Sequence, residues 1–250
     1  MNDVYSSKFQ KCINTLVGKF HAWEIWADWV YIISAALSQP LDYREDREKR
    51  YLDIISKYDQ NEIQTMHDMF DITSDALEEN PRQDFLGALY MSLGLGDHWK
   101  GQFFTPYHLC EAMAMMVEDD ILSEVHTKGF ITMNDCACGG GATLIAGFNQ
   151  AKEQLEKEGL NAQNHVLIAA QDLSEMTALM CYIQLSLLGV AAVVKIGNTL
   201  TEPLSGDHLL FMESKPELWF TPMYNFPVWS ARRSARMLDL IMGGASKCQN

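Results

Sequence analysis

Apolar and polar positions along the chain follow two rhythms, and the change between them divides it. Through residues 1–98 the apolar positions recur at helical spacing. Ile13, Leu16, Val17, Phe20, Trp23, Ala27 and Val30 share one face of a helix that Pro40 ends. Trp23, Trp26 and Trp29 add an aromatic stripe, which at three-residue spacing predicts a core or an interface more than a base-stacking platform. Asp59-Gln60-Asn61-Glu62 reads as a capping box. It opens a helix with Ile63, Met66, Phe70, Thr73 and Leu77 on one side. Asn80-Pro81 starts the next, through Phe85, Leu89 and Leu93, and Gly94 and Gly96 stop it. The run from Arg44 to Arg50 interleaves both signs, the pattern of a solvated helix face and not of a phosphate patch. With no strand pattern or repeat, residues 1–98 predict a helical N-terminal region.

From residue 99 onward, short apolar runs alternate with longer helical stretches. Runs 129–134, 166–170 and 191–196 read as buried strands. Between and before them, helices are predicted from Pro106, over 142–158 and over 176–188. Such alternation predicts an α/β, Rossmann-like domain over residues 99–250, with a mostly parallel sheet.

Composition narrows the setting. The chain has 250 residues, 48% of them apolar, enough for a sizeable core. No apolar run approaches the ~18–20 residues of a membrane span, and the charged N-terminus has no signal-peptide core. Six cysteines, at 12, 110, 136, 138, 181 and 248, form no C-x-x-C pair. Reduced thiols in a cytoplasmic protein, with no metal site and no membrane partner, are the expectation. The net charge of −14 bears on partners. Phosphate neutralisation supplies most of the affinity of a protein that grips DNA alone, so a DNA partner here requires a local basic patch or a basic subunit.

Two stretches carry the candidate chemistry. In Asp135-Cys136-Ala137-Cys138-Gly139-Gly140-Gly141, glycines follow a predicted strand and precede a predicted helix. Missing Cβ atoms let the chain turn sharply and let a ligand lie against bare backbone, while the helix N-terminus offers unpaired N–H groups. The stretch is neither a P-loop nor a dinucleotide fingerprint, because it lacks both spacings. The other stretch is Gly101-Gln102-Phe103-Phe104-Thr105-Pro106. Thr105 suits an N-cap and Pro106 a first helical position, with Leu109, Ala112, Met113 and Met116 on one face beyond. Capping does not need the paired phenylalanines, which suit an apolar slot for a ligand.

Together these motifs resemble the adenine-specific DNA methyltransferases, most of all the modification subunits of type I restriction systems. The first motif of that family, GQFFTP, is matched at every position from Gly101 to Pro106. The second, DPACGSG, is matched at Asp135, Ala137, Cys138, Gly139 and Gly141, and departs at Cys136 and Gly140. The resemblance implies an S-adenosylmethionine site in which both motifs hold the methionine half and Asp135 pairs with its ammonium group. It places Asp172, at the end of the second strand, on the ribose hydroxyls, a position where Rossmann-like folds accept them. Asp172 and Ser174 also suit a helix cap. Gly197-Asn198-Thr199-Leu200 stands where the family has Gly-Asp-x-Leu, and the Asn198 carbonyl would face the cofactor's adenine amine. Gln184 to Gly189 is similar to the family's Asn-Leu-x-Leu-x-Gly.

The family's fourth strand ends in Asn/Asp-Pro-Pro-Tyr/Phe, whose acceptors and ring hold a flipped adenine. Here Thr221-Pro222-Met223-Tyr224 follows an apolar run, so Thr221, Pro222 and Tyr224 are the catalytic candidates. A hydroxyl is a poorer acceptor than an amide, and one lost hydrogen bond costs about 1–3 kcal/mol. Only about twenty-five residues follow, too few for the family's remaining strands and target-recognition domain. They include Arg232-Arg233-Ser234-Ala235-Arg236, the one basic cluster, read as a phosphate contact or a solvated helix face. Two functions follow from the resemblance. One is transfer of a methyl group to the exocyclic amine of adenine in DNA. The other is a lapsed methyltransferase-like partner or decoy subunit in restriction-modification or anti-restriction. Either admits a homo-oligomer or a specificity subunit as partner.

Overall fold

The computed structural model describes residues 3–95, 104–116, 121–204 and 206–246. Five helices come first: α1 (Asp3–Leu16), α2 (Ala22–Ser38), α3 (Glu45–Ile55), α4 (Gln60–Glu79) and α5 (Phe85–Ser92). Then follow α6 (Tyr107–Met116), α7 (Ile121–Lys128), strand β1 (Ile131–Asp135), α8 (Ala142–Lys157) and the short α9 (Ala162–His165). β2 (Val166–Asp172), α10 (Glu175–Leu187) and β3 (Ala191–Ile196) complete the alternating part. Two 3-10 turns, Gly206–Phe211 and Pro222–Asn225, flank β4 (Leu218–Phe220), and α11 (Pro227–Ser246) follows.

The sheet order is β1-β2-β3-β4, with β1, β2 and β3 parallel. Successive side chains on a strand point to opposite faces, and the two faces find different cores. Val166, Ile168, Ala170, Ala192 and Val194 join a large core shared with α8, α10 and the first five helices. Leu167, Ala169, Ala191 and Val193 join a smaller one with Leu209, Phe220, Tyr224 and Trp229. Coverage on both faces explains why β2 and β3 read as unbroken apolar runs. The result is a Rossmann-like α/β fold with a mostly parallel sheet and a helical region at its N-terminal side. No helix among the described residues is long and apolar enough to cross a membrane.

Local differences from the sequence reading have physical causes. The helix expected through Val30 is two helices, because the chain turns at Gly18 with φ +122°. Trp26 and Trp29 are core, whereas Trp23 is 59% exposed. α5 starts at Asp84 and not at Asn80-Pro81, since the Asp84 carboxylate accepts the Gly87 N–H at 2.8 Å. Asp59 and Glu62 do form the expected capping box.

The larger difference concerns β4. A doubly wound sheet places its fourth strand beside the first. Here β4 runs antiparallel along the outer edge of β3, with Phe220 opposite Val193 and Leu218 opposite Lys195. The mixed-charge run on α3 helps hold it there. Arg47 is only 3% exposed, its guanidinium stacks 3.7 Å from the Trp219 ring, and its Nη2 donates to the Leu218 carbonyl at 3.1 Å. Asp42 lies 3.4 Å from Nη1. The run is therefore not a wholly solvated face: planar stacking and a carbonyl partner compensate the burial of one of its cations. Arg47→Ala should destabilise the protein by about 3 kcal/mol, because it orphans Asp42 and strips β4 of its clamp. Arg47→Lys should recover less than half of that loss. Urea unfolding followed by tryptophan fluorescence measures both, and a loss below about 1 kcal/mol for the alanine variant would mean that β4 is held by other contacts.

Candidate cofactor site

The carboxyl ends of β1, β2 and β3 are knitted into one surface by their own loops. The Cys138 N–H donates to the Gln171 carbonyl at 3.0 Å, and the Gly197 N–H to the Asp172 carbonyl at 2.9 Å. Across the loops, the Gly139 N–H donates to Asp172 Oδ2 at 2.9 Å and Thr199 Oγ1 to the Cys136 carbonyl at 2.6 Å. This end of the sheet brings together Phe104, Asp135, Ala137, Cys138, Gly139, Gly141, Asp172 and Asn198. Gln102 and Phe103 lie outside the described residues.

The glycines do something other than expected. Gly139 and Gly141 take φ of +53° and +99°, so the turn itself needs them. The space their missing Cβ atoms leave is filled by protein. A Cβ at Gly141 would lie 2.9 Å from Cys181 Sγ, one at Gly140 3.2 Å from Asp84 Oδ1, and one at Gly139 3.1 Å from the Phe104 ring. Close packing of α5 and α10 sets the glycine requirement at 140 and 141. What remains open is the outer side of the loop, where Cys136 and Ala137 are exposed and Asp135 and Gly139 half-exposed. Phe104 links the two motifs as the resemblance implies, since its ring rests on Gly139.

Both carboxylates are oriented by the fold. Asp135 accepts the Ala137 N–H at 3.0 Å and the Thr143 hydroxyl from the first turn of α8. Asp172 Oδ1 takes the Ser174 N–H at 2.9 Å and the Thr177 hydroxyl at 3.0 Å, while Oδ2 takes Gly139 alone. Ser174 is the N-cap of α10, and Asp172 braces it. One lone pair of Oδ2 stays free, so bracing the start of α10 and receiving a ligand hydroxyl are compatible. The Asn198 carbonyl Oδ1 accepts the Leu200 N–H at 2.9 Å, and its residue is exposed. Cys138 is buried, and its hydrogen bond with Cys181, together with burial, holds it well above the ordinary thiol range. Groups of cysteine, histidine and carboxylate that could hold a metal are absent among the described residues.

Beneath the loop lies a polar junction that sequence reasoning missed. Gln184 Nε2 donates to both Asp84 Oδ1 and the Gly140 carbonyl at 2.8 Å, and Gln184 Oε1 accepts the Leu86 N–H at 3.1 Å. The signal was present in part, since Asp84 stands three residues before Gly87 as an N-cap does.

Thr221, Pro222 and Tyr224 are not at this end. Antiparallel β4 carries Thr221 level with Ala192, whose carbonyl accepts the Thr221 N–H at 3.1 Å. Ala192 stands four residues before Ile196, the partner of Asp172, or ~13 Å along the strand. The Thr221 side chain is fully buried, accepting the Ala192 N–H at 2.8 Å and donating to the Val190 carbonyl at 2.7 Å. Tyr224 is buried too, and its hydroxyl donates to the Leu209 carbonyl at 2.6 Å. Thr221, Pro222 and Tyr224, the catalytic candidates, thus form a corner at the end of the sheet opposite the glycine loop. The arginine cluster is partly structural, because Arg233 Nη1 donates to the Tyr224 carbonyl at 3.0 Å and Arg232 Nη2 to the Asn164 carbonyl at 2.8 Å.

A family model described as N-6 DNA methylase matches residues 95–231, more than half of the chain. The chain belongs to this family. No curated protein and no solved structure gives a significant match. The matched methylase region spans all four strands and every loop of the site, whereas Asp84 precedes it. N-6 DNA methylases use S-adenosylmethionine as methyl donor. Its chemistry suits these residues: Asp135 and Asp172 retain acceptor capacity for an ammonium and a hydroxyl, and an aromatic face suits a sulfonium.

Two outcomes test this packing. Gly141→Ala meets both a left-handed φ and Cys181, and should cost well over 1 kcal/mol. Gly159→Ala, at φ +70° with open space around it, should cost only about 1 kcal/mol. Adding Cys181→Ala to Gly141→Ala should recover part of the loss in a double-mutant cycle, and strict additivity would refute the contact. The second outcome concerns pH. Burial pushes the Asp84 carboxyl above its ordinary value of 3.8, against the hydrogen bonds from Gln184 and Gly87. A carboxyl raised in the folded state gives stability that is full below the unfolded pKa and is lost as pH rises through the folded one. Asp84→Asn should therefore remove a downward slope of at most about 1.4 kcal/mol per pH unit above pH ~4, read from urea midpoints across pH.

Proposed function

We propose that this chain holds S-adenosylmethionine at the carboxyl ends of β1, β2 and β3 and serves methyl transfer to the exocyclic amine of adenine in DNA. The observation that carries this reading is the convergence of Phe104, Asp135, Asp172 and Asn198 on one surface of a chain in the N-6 DNA methylase family. Asp135 would pair with the ammonium, Asp172 Oδ2 with a ribose hydroxyl and Asn198 with the adenine amine, beside Phe104, Thr105 and Pro106. Bound there, the cofactor supplies a methyl group on a positively charged sulfur. Membership of a type I modification assembly, with DNA gripped through a basic or specificity subunit, is part of the proposal and fits the charge of −14.

A second reading is favoured by the remote, buried Thr221. In it the chain binds cofactor without transferring methyl by itself, and acts as a partner or decoy subunit.

Calorimetric titration with S-adenosylmethionine should show binding, weakened at least tenfold by Asp135→Ala through loss of a charge-assisted contact. Thr221→Val should lower stability and leave that affinity unchanged. Labelled methyl groups should enter mixed DNA when the chain is incubated alone or with cell extract. Binding without incorporation selects the second reading, and absence of binding overturns both.

A further inference from the structure

The sheet has an unpaired edge at β1. β1 pairs with β2 only, and its other edge makes no backbone hydrogen bond among the described residues. Exposed strand edges are usually blunted by lysine, proline or a bulge. Ile131-Thr132-Met133-Asn134-Asp135 contains neither residue and pairs with β2 without a break in register.

A cavity lies on each side of this edge. One, of about 530 Å³, is lined by all five residues of β1 and by Met113, Ile121 and Leu144. The other, of about 700 Å³, lies on the α11 side, with Phe130, Leu167 and Phe211 as its apolar wall and Arg232 and Arg236 beside it. Thr132, Glu124 and Lys128 line both, so the two flank the same edge. Side chains of an added strand point alternately to opposite faces, and one strand would fill both cavities.

The cavities differ in charge. Lys128 is neutralised by Glu124 at 3.2 Å. Neither Arg232 nor Arg236 has a carboxylate at ion-pair distance among the described residues, and Arg232 Nε is buried with no hydrogen-bond partner. Arg232 Nη2 meets the Asn164 carbonyl at 2.8 Å and the His165 ring at 3.4 Å, and its guanidinium lies 5.6 Å from the Phe130 ring and 5.2 Å from the Trp229 ring. Two cations without a carboxylate partner among the described residues, in a chain of charge −14, are a local inversion of sign.

We propose that the free edge of β1 docks an extended segment of a second polypeptide, with apolar side chains entering the cavity under Met113 and Leu144 and acidic ones reaching Arg232 and Arg236. A nucleic acid backbone fits less well. It brings only acceptors to an edge that presents both donors and acceptors, and nothing apolar for the first cavity. Because Asp135 and Thr143 also line that cavity, the docked segment would border the cofactor loops. The proposal goes beyond the methyl-transfer reading and does not require it.

The probe is a fluorescein-labelled peptide of alternating valine and glutamate, titrated into the full chain and read by anisotropy. Binding is expected, with an otherwise identical valine–lysine peptide at least tenfold weaker. Exposed Arg236→Glu should weaken the glutamate peptide about tenfold, the loss of one charge-assisted contact, and Arg232→Gln should act in the same direction. Amide exchange at 131–135 should slow about tenfold on peptide addition. Failure to bind, equal binding of the lysine peptide, or binding without slowed exchange at 131–135 would each overturn the proposal. So would two further results: displacement of the peptide by duplex DNA with loss of the exchange protection, or protection that rises with protein concentration alone, which would assign the edge to a second copy. Cofactor affinity, measured separately, distinguishes any of these from failure of the methyl-transfer reading.

Discussion

A single buried amide fixes the relation between the helical region and the ligand-facing loops. Gln184 is fully buried, and the partners of its side chain all lie on other elements: the α5 cap Asp84, the α5 backbone at Leu86 and the glycine loop at Gly140. In a dry interior each of these groups costs about 1–3 kcal/mol if left unpaired, so the three contacts stand or fall together. The glycine loop can approach α5 this closely because Gly140 and Gly87 carry no Cβ. Position of the loop in turn sets Gly139, whose N–H orients Asp172, and Asp172 braces Ser174 and Thr177 at the start of α10, the helix that carries Gln184. The circuit closes on itself. A ligand arriving on the outer side of the loop therefore meets carboxylates that are already aimed, with little side-chain freedom left to lose.

Much of this was legible in the chain. Apolar runs of β2 and β3 and the helices between them lie within a residue or two of where periodicity puts them, because both faces of those strands are buried and no competing pattern exists. The pairing of the phenylalanine motif with the glycine loop was legible through resemblance, and the contact of Phe104 with Gly139 joins them. What escaped has a common cause: it depends on partners distant in sequence. Nothing local to Arg47 distinguishes it from its neighbours in a charged run, and only the Trp219 ring, across the fold, makes its burial tolerable. Nothing local to Leu218–Phe220 says that the strand runs backwards, since an apolar triplet carries no direction. Nor does the sequence show that the side chain of Thr221 is spent on the backbone of β3.

Burial and openness are divided sharply between the ends of the sheet. At one end the loops leave Cys136, Ala137 and Asn198 exposed around two oriented carboxylates. At the other, Thr221 and Tyr224 spend their hydroxyls on backbone carbonyls, and a stacked Phe220–Tyr224 pair with ring centroids 5.0 Å apart closes the corner. The second end has the chemistry of a structural joint, whereas the first keeps its polar groups open to solvent.

The reversed course of β4 has one more effect. It makes β4 the margin of the sheet beyond β3. That margin is three residues long, with its Leu218 carbonyl taken by Arg47 and its Phe220 carbonyl by Tyr182. A short edge whose acceptors are already occupied is a poor template for another molecule, so the backward strand guards against edge-to-edge association as well as filling the core.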